Sequence, residues 1–372
     1  MITSLEIEKF KCFKNLRLEF PRLTLLTGFN SGGKSSAIQP LLLLAQAARA
    51  GILSPIIPLN GPILRLGTVG DILPRDASPS DLVFKIADED SETTWRATAR
   101  AGDRQIEMMT STAQLNSDEP DSSYSASPSF YTSIQELSYL SAVRSGPEDA
   151  YPTPETYENG SVDVGVDGRF APYWYDKLVD NEVEESRRHP AEPASSFRKQ
   201  FDAWFSTLFP NAQANVQHYQ QISLRSLQFR ISEFGEWHRP ANVGYGFSYA
   251  FPVLVALLAA DEGQAVVIDS PEAHLHPFAQ SQMGRLIAHF AASGVQIIVE
   301  THSDHLLNGI RLAVKDGVLS AEKLRVHFFT GSSESGHGVR SLNVDREGRI
   351  DSWPEGFFDQ SEKDLARLTG WE

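Results

Sequence analysis

The segment Gly28-Phe29-Asn30-Ser31-Gly32-Gly33-Lys34-Ser35 fits the pattern G-x-x-x-x-G-K-[ST]. It follows the apolar run Leu23-Thr24-Leu25-Leu26 and precedes a helical stretch from Ser36 to Ala50, so strand, loop and helix come in the order that a phosphate-binding loop requires. The glycines let consecutive backbone N–H groups wrap an anion at a helix N-terminus. Lys34 adds a point charge at the β- and γ-phosphates, and the Ser35 hydroxyl suits Mg²⁺. Gly28, Asn30, Ser31, Gly32, Gly33, Lys34, Ser35 and Ser36 are therefore the candidate ligands of a nucleoside triphosphate, read here as ATP.

Bulk composition narrows the setting. A chain of 372 residues with 41% apolar side chains can hold two or three domains or one large elaborated one. A formal charge of −15 argues against a protein that coats nucleic acid by itself, so any DNA contact is expected to be local or supplied through a partner. Cys12 is the only cysteine, which leaves no intrachain disulfide and no cysteine-based zinc site, as suits a reducing cytoplasm. The N-terminus lacks a basic, apolar leader, and the most apolar stretch, Pro40 to Leu59, is broken by Gln46, Arg49, Gly51 and prolines. Neither an export signal nor a membrane span is expected.

The first residues alternate Ile2, Leu5 and Ile7, then Phe10, Phe13, Leu16 and Leu18, a strand pattern. Residues 76–104 read as short strands with polar turns, and 109–130, rich in Ser, Thr and Asp, as a surface loop. Two Pro- and acid-rich passages, 146–159 and 180–193, flank Val162–Gly168 and read as mobile edges of an inserted arm. Phe197, Phe201, Trp204, Phe205 and Leu208 recur at helical spacing up to Pro210, an aromatic stripe better suited to a core than to a cofactor box. From residue 240 the pattern becomes an apolar helix (248–260), a strand (265–268), a helix (277–292), a strand (295–299), a helix (304–314) and a strand near 326–329. Strand, helix, strand at this spacing is a βαβ unit and hence a parallel sheet.

Chemistry gathers at the strand ends. An apolar strand closing on Asp269 is a Walker B arrangement, which puts a carboxylate in reach of Mg²⁺ opposite Lys34, so Ser35 and Asp269 are the metal candidates. Glu272, three residues on, can polarise a water for in-line attack; the alternative is a cap on the next helix. His302 ends the following strand and can donate to a γ-phosphate, or simply be satisfied there. Catalysis is thus expected from Glu272, His302 and Lys34. His274, His276, His302 and His305 also invite a zinc reading, which lacks a third ligand at recognised spacing. Asn242–Ser248 opens an apolar helix with glycines and a hydroxyl, either a second anion site at Gly246 and Ser248 or an ordinary helix start.

Taken together, the N-terminal strand pair ending in Phe10-Lys11-Cys12-Phe13, the GFNSGGKSS loop, Asp269-Ser270-Pro271-Glu272-Ala273-His274-Leu275-His276-Pro277 and Glu300-Thr301-His302-Ser303 resemble the ABC-type ATPase heads of the SMC/RecF class. Within that class they look closest to the overcoming-lysogenization-defect (OLD)-like ATPases of prokaryotic defence and DNA processing. Tyr139–Arg144 resembles a strand those ATPases carry before the arm, and Trp353-Pro354-Glu355-Gly356-Phe357-Phe358-Asp359 resembles a C-terminal domain of unassigned role in some of them. The resemblance implies an α/β P-loop NTPase with a mostly parallel sheet, an antiparallel N-terminal β subdomain and a short inserted arm. It further implies a head-to-tail dimer in which two ATP molecules lie between Lys34 of one subunit and the Gly246/Ser248 region of the other. The Leu-Ser-Gly-Gly-Gln signature, the Toprim nuclease acids and a long coiled-coil arm have no counterpart in this sequence.

The expected organisation is a Walker A lobe (1–75), a β subdomain with the arm (76–239), a lobe with the signature-like segment, Walker B and His302 (240–330), and a tail (331–372). The expected function is a Mg²⁺-dependent ATPase whose dimerisation and turnover control a separate effector, such as a nuclease, in defence against foreign DNA or in genome maintenance. The alternative is a nucleotide-gated scaffold, assembled by ATP binding with turnover incidental.

Overall fold

The computed structural model describes residues 1–51, 56–74, 82–98, 100–114, 128–155, 161–232, 234–333 and 336–370. In chain order the elements are β1 (Ser4–Phe10), β2 (Phe13–Glu19), β3 (Leu23–Gly28), α1 (Lys34–Arg49), β4 (Ile56–Pro58), α2 (Val69–Ile72), β5 (Val83–Ala87), β6 (Ser91–Thr98), β7 (Gln105–Gln114), α3 (Pro128–Gln135) and β8 (Ser138–Leu140). There follow α4 (Ala171–Leu178), α5 (Phe197–Leu208), β9 (Gln213–Tyr219), β10 (Leu224–Arg230), α6 (Tyr245–Ala259), β11 (Ala265–Asp269), α7 (Pro277–Ala292), β12 (Gln296–Glu300), α8 (Asp304–Lys315), β13 (Leu324–Ser333), β14 (Gly336–Leu342) and α9 (Gln360–Thr369).

Two six-stranded sheets organise the chain. The first, β2-β1-β5-β6-β7-β4, is antiparallel throughout, and it takes strands from both sides of residue 75. The second, β14-β13-β3-β12-β11-β8, is parallel except for β14, an antiparallel edge that hairpins back on β13. Its central strands β3, β11 and β12 are apolar and buried along nearly their whole length, because helices cover both faces. A mostly parallel core with an antiparallel β subdomain is thus what the chain forms.

Between the sheets, Gln296 joins the two layers. Its buried side chain accepts the Ile2 N–H at 3.1 Å and donates to the carbonyls of Ile2 (2.5 Å) and Phe20 (3.2 Å). On the other face of the parallel sheet, α5 forms over Phe197–Leu208 and ends two residues before Pro210, near the expected end. Its aromatic stripe is core: Phe201 and Phe205 are fully buried, and Phe201 lies 5.1 Å from Phe251 of α6.

Two expectations need correction. The segment 109–130 is not a loop throughout: β7 runs to Gln114 and α3 starts at Pro128, while 115–127 lie outside the described residues. Between the two acid-rich passages, Val162 and Val164 are buried in the main core and Gly168 abuts Pro252, where a Cβ would come within 2.7 Å of its ring. Nor is the 180–193 passage all periphery: Arg187 is buried, donating to the Ala260 carbonyl, and its own carbonyl accepts the Trp204 indole N–H at 3.1 Å. Residues 156–160, part of the first acid-rich passage, lie outside the described set, as do 75–81 and Ala99 of the 76–104 stretch.

Candidate functional site

The loop after β3 is built by close approach. Gly28 lies so near β13 that a Cβ would meet the Phe329 carbonyl oxygen at 2.2 Å, and its φ of 127° excludes most side chains as well. Positive φ at Ser31 (61°) and Gly33 (102°) then folds the chain into a tight turn before α1. Gly32, in the same turn, donates its N–H to the Phe29 carbonyl at 3.0 Å. Lys34, the first helical residue, is buried, and its ammonium donates to the Gly28 and Phe29 carbonyls at 3.1 and 2.9 Å. Burial lowers the basicity of Lys34; the charges of Glu300 and Asp269 work against that. Asn30 and Ser31 are exposed on the turn, Ser35 is exposed at the start of α1, and Ser36 is half-buried behind it.

Opposite the loop, parallel pairing sets two acids side by side: Asp269, ending β11, is in register with Glu300, ending β12. The Ser35 hydroxyl donates to Glu300 Oε1 at 3.1 Å, and the Ser270 hydroxyl to Asp269 Oδ1 at 2.9 Å. Burial first, and the neighbouring Asp269 charge second, push the Glu300 carboxyl up to about 7. Glu300, like Asp269, closes an apolar strand with an acid, so the same sequence signal marks both residues.

Past the strand, Ser270 (φ 50°) and His274 (φ 63°) bend the chain through a turn tied to β12 by the Ser270 N–H, which donates to the Glu300 carbonyl at 2.8 Å. Glu272 points inward from this turn. Its Oε1 accepts the main-chain N–H of His302 at 2.9 Å. Burial raises the carboxyl above its ordinary value, held back by the His302 N–H, the nearby Thr301 hydroxyl and the charge of Arg144. The cap of α7 is instead His276, whose side chain accepts the Phe278 N–H. His302 keeps an exposed face, and its imidazole is made less basic by its surroundings and by Lys34, with Asp269 opposing.

Arg144, a residue whose role the sequence does not reveal, lies buried just past β8. Its guanidinium donates to the Asp269 carbonyl at 2.8 Å and to the Ser270 carbonyl at 3.2 Å, gripping the end of β11, and burial lowers it to about 10. It also stands 5.6 Å over the Tyr249 ring of α6, and Tyr249 packs edge-on against His274 at 4.4 Å.

The start of α6 is placed differently from the rest. Gly244 is its N-cap, and Gly246 faces inward, where a Cβ would meet the His274 carbonyl at 2.9 Å. Ser248 is buried as well. Within the chain, Gly246 thus packs α6 onto the 270–276 turn, and the Ser248 side chain is turned away from solvent. The surface of this helix start belongs to Asn242, Gly244 and Tyr245.

Loop, helix start and three strand ends thus bring Lys34, Ser35, Asp269, Glu300, Glu272 and His302 to one edge of the parallel sheet. The donor set fits a hydrated Mg²⁺: such an ion takes one or two protein ligands beside water and phosphate, and the Asp269–Glu300 acid pair, whose buried Glu300 Oε2 has no partner among the described residues, would be relieved by a cation. Ser35 and Asp269 would hold it, and it would neutralise charge on the transferred phosphoryl group. Among the described residues there is no cluster of three or more His, Cys, Asp or Glu able to hold a metal ion without substrate.

This arrangement is that of a nucleotide-binding P-loop ATPase head. The chain belongs to the family described as "AAA domain, putative AbiEii toxin, Type IV TA system", which it matches over residues 23–308. Residues 319–368 match a second family, "Protein of unknown function (DUF3696)". Among solved structures, an SMC head bound to the C-winged helix domain of ScpA is similar at a TM-score of 0.52 and 14% identity, covering 93% of this chain and 98% of that one. An SMC head with an extended coiled coil, bound to the C-terminal domain of ScpA and derived from Pyrococcus furiosus, is similar at 0.55 and 13%, covering 99% of each. At these identities the likeness is one of fold: the chain has the fold of an SMC head. No curated protein matches it in sequence. Among the described residues no helix is long and apolar enough to cross a membrane.

Proposed function

We propose that the protein is a Mg²⁺-dependent ATP hydrolase of the OLD-like branch, in which Lys34 and the 28–36 loop hold the phosphates, Ser35 and Asp269 hold the metal, Glu272 activates water and His302 contacts the γ-phosphate. The observation that carries this reading is the inward-turned Glu272, tied through the His302 N–H to the strand end that also carries Glu300. A base needs this kind of fixed placement and raised affinity for a proton.

In this reading ATP closes two heads into a sandwich, and the exposed Asn242, Gly244 and Tyr245 edge of α6, backed by Gly246 and Ser248, meets the partner's loop. The cycle controls a separate effector, a nuclease being the candidate, in the cytoplasm, in defence against foreign DNA or in DNA maintenance. The ScpA-bound SMC heads support an effector on a head of this fold, and the net charge of −15 favours DNA contact through a partner. The Walker A lobe, β subdomain with arm, C-terminal lobe and tail are the proposed working parts.

Light scattering tests the proposal. ATP with Mg²⁺ should convert the protein to a dimer, and Glu272→Gln should accumulate that dimer because turnover no longer releases it. A wild-type protein that neither hydrolyses ATP nor changes mass with it would refute the proposal.

A further inference from the structure

The C-terminal segment folds back onto the start of the P-loop. Residues 354–359 form a compact turn: the Phe357 N–H donates to the Pro354 carbonyl at 3.0 Å, the Gly356 N–H donates to Asp359 Oδ2 at 3.1 Å, and Phe358 has a φ of 51°. The turn lays Gly356 on the ring of Phe29, where a Cβ would come within 2.2 Å of Cζ. Beside it, the fully buried Phe357 packs edge-on against Phe328 at 5.3 Å, and Phe328 in turn lies 5.9 Å from Phe29. Trp353 braces Phe357 from outside at 5.1 Å, with the Arg311 guanidinium 5.3 Å over its ring.

Phe29 is the joint through which this packing reaches the site. Its N–H donates to the Phe329 carbonyl at 3.1 Å, and its carbonyl accepts both the Gly32 N–H at 3.0 Å and the Lys34 ammonium at 2.9 Å. A shift of the ring therefore moves the peptide that anchors Lys34. Between turn and loop lies a cavity of about 250 Å³, lined by Gly28, Phe29, His302, Asp359 and Gln360 among others, so the tail also walls the side of the site where His302 stands.

We infer that the 353–359 turn is a positioning element of the nucleotide site: Gly356 and Phe357 hold the Phe29 ring, and through it the first peptide of the P-loop and Lys34, in the arrangement that receives phosphate. This gives the C-terminal segment a role in nucleotide affinity, and it rests on the reading of the loop as an ATP site.

The test is a double-mutant cycle read by calorimetric ATP titration with Mg²⁺, alongside KM and kcat. Gly356→Ala drives a methyl into the Phe29 ring and should weaken ATP binding about tenfold, with KM rising in step and kcat within about twofold. In Phe29→Ala/Gly356→Ala the methyl meets no ring and only the strain of its φ of 81° remains, which lowers stability, so the double variant should bind ATP as Phe29→Ala alone does. If Gly356→Ala fails to melt cooperatively, Trp353→Ala, which removes only the outer brace, carries the same test. Wild-type affinity in Gly356→Ala, or in Trp353→Ala where that variant carries the test, overturns the inference, and so do losses that simply add in the double variant. Failure of the wild-type protein to bind ATP would instead refute the function on which it rests.

Discussion

Glu272 Oε1 accepts the His302 main-chain N–H at 2.9 Å, while Glu272 Oε2, also buried, has no hydrogen-bond partner among the described residues. One oxygen is thus held by the main chain, and in the proposed mechanism the other takes the proton. In Glu272→Gln the amide oxygen can keep the bond to His302, but the basic oxygen is gone. Turnover should fall by about 10²-fold or more with ATP affinity nearly unchanged. A Gln variant that turns over at the wild-type rate would assign the base to another residue.

Because that bond uses the backbone of His302, the His302→Ala substitution leaves it intact. The loss should then be confined to the imidazole: kcat drops by roughly tenfold or more while the dissociation constant for ATP changes by less than about threefold. A melting curve matching wild type should accompany this. Cooperative unfolding lost in the variant would mean that the ring serves packing.

Arg144→Lys keeps the charge beside Glu272 but removes the planar fork that spans the Asp269 and Ser270 carbonyls. Stability should fall by about 1.5–3 kcal/mol in denaturant titration, the range for charge-assisted hydrogen bonds, and turnover should fall with it as the end of β11 loosens. Unchanged stability would show that an ammonium holds the turn equally well.

Away from the site, Asp202 on α5 is pushed up to about 6 by burial, with the Ala214 N–H and the charges of Arg198, Lys199 and Arg230 opposing. The folded state therefore favours the protonated acid. Its contribution to stability is complete below about pH 4, the unfolded value, and is lost as pH rises through about 6. Asp202→Asn should melt with wild type near pH 4 and about 2–6 °C above it near pH 8. Equal melting temperatures at both ends would contradict this assignment.

The region from α6 to α8 is the most readable in sequence, because buried parallel strands appear as unbroken apolar runs and the helices between them begin at recognisable boundaries such as His276-Pro277 and Ser303. Arg144 is opaque for the opposite reason: its partners are main-chain carbonyls, which carry no side-chain signature. β7 is hidden because β4 pairs only with Gln105, Ile106 and Glu107, leaving its far end open on that side, where Ser and Thr are at home in a strand. β4 has three residues, too few to show any period. Gly246 and Ser248 are recognisable as a helix start, but the close approach of the His274 carbonyl to Gly246 depends on chain folding over from the next element.

The pairing of β3 carries a consequence for biosynthesis. Leu23 lies opposite Ile297 on one side and Leu324 on the other, so the strand that launches the P-loop has no sheet to join until β12 and β13 have been made. At ribosomal speeds of about 5–20 residues per second, that is a wait of roughly 15–60 s. During it an apolar strand and its glycine loop stand without their neighbours, and the ATP site can form only once most of the polypeptide has left the ribosome.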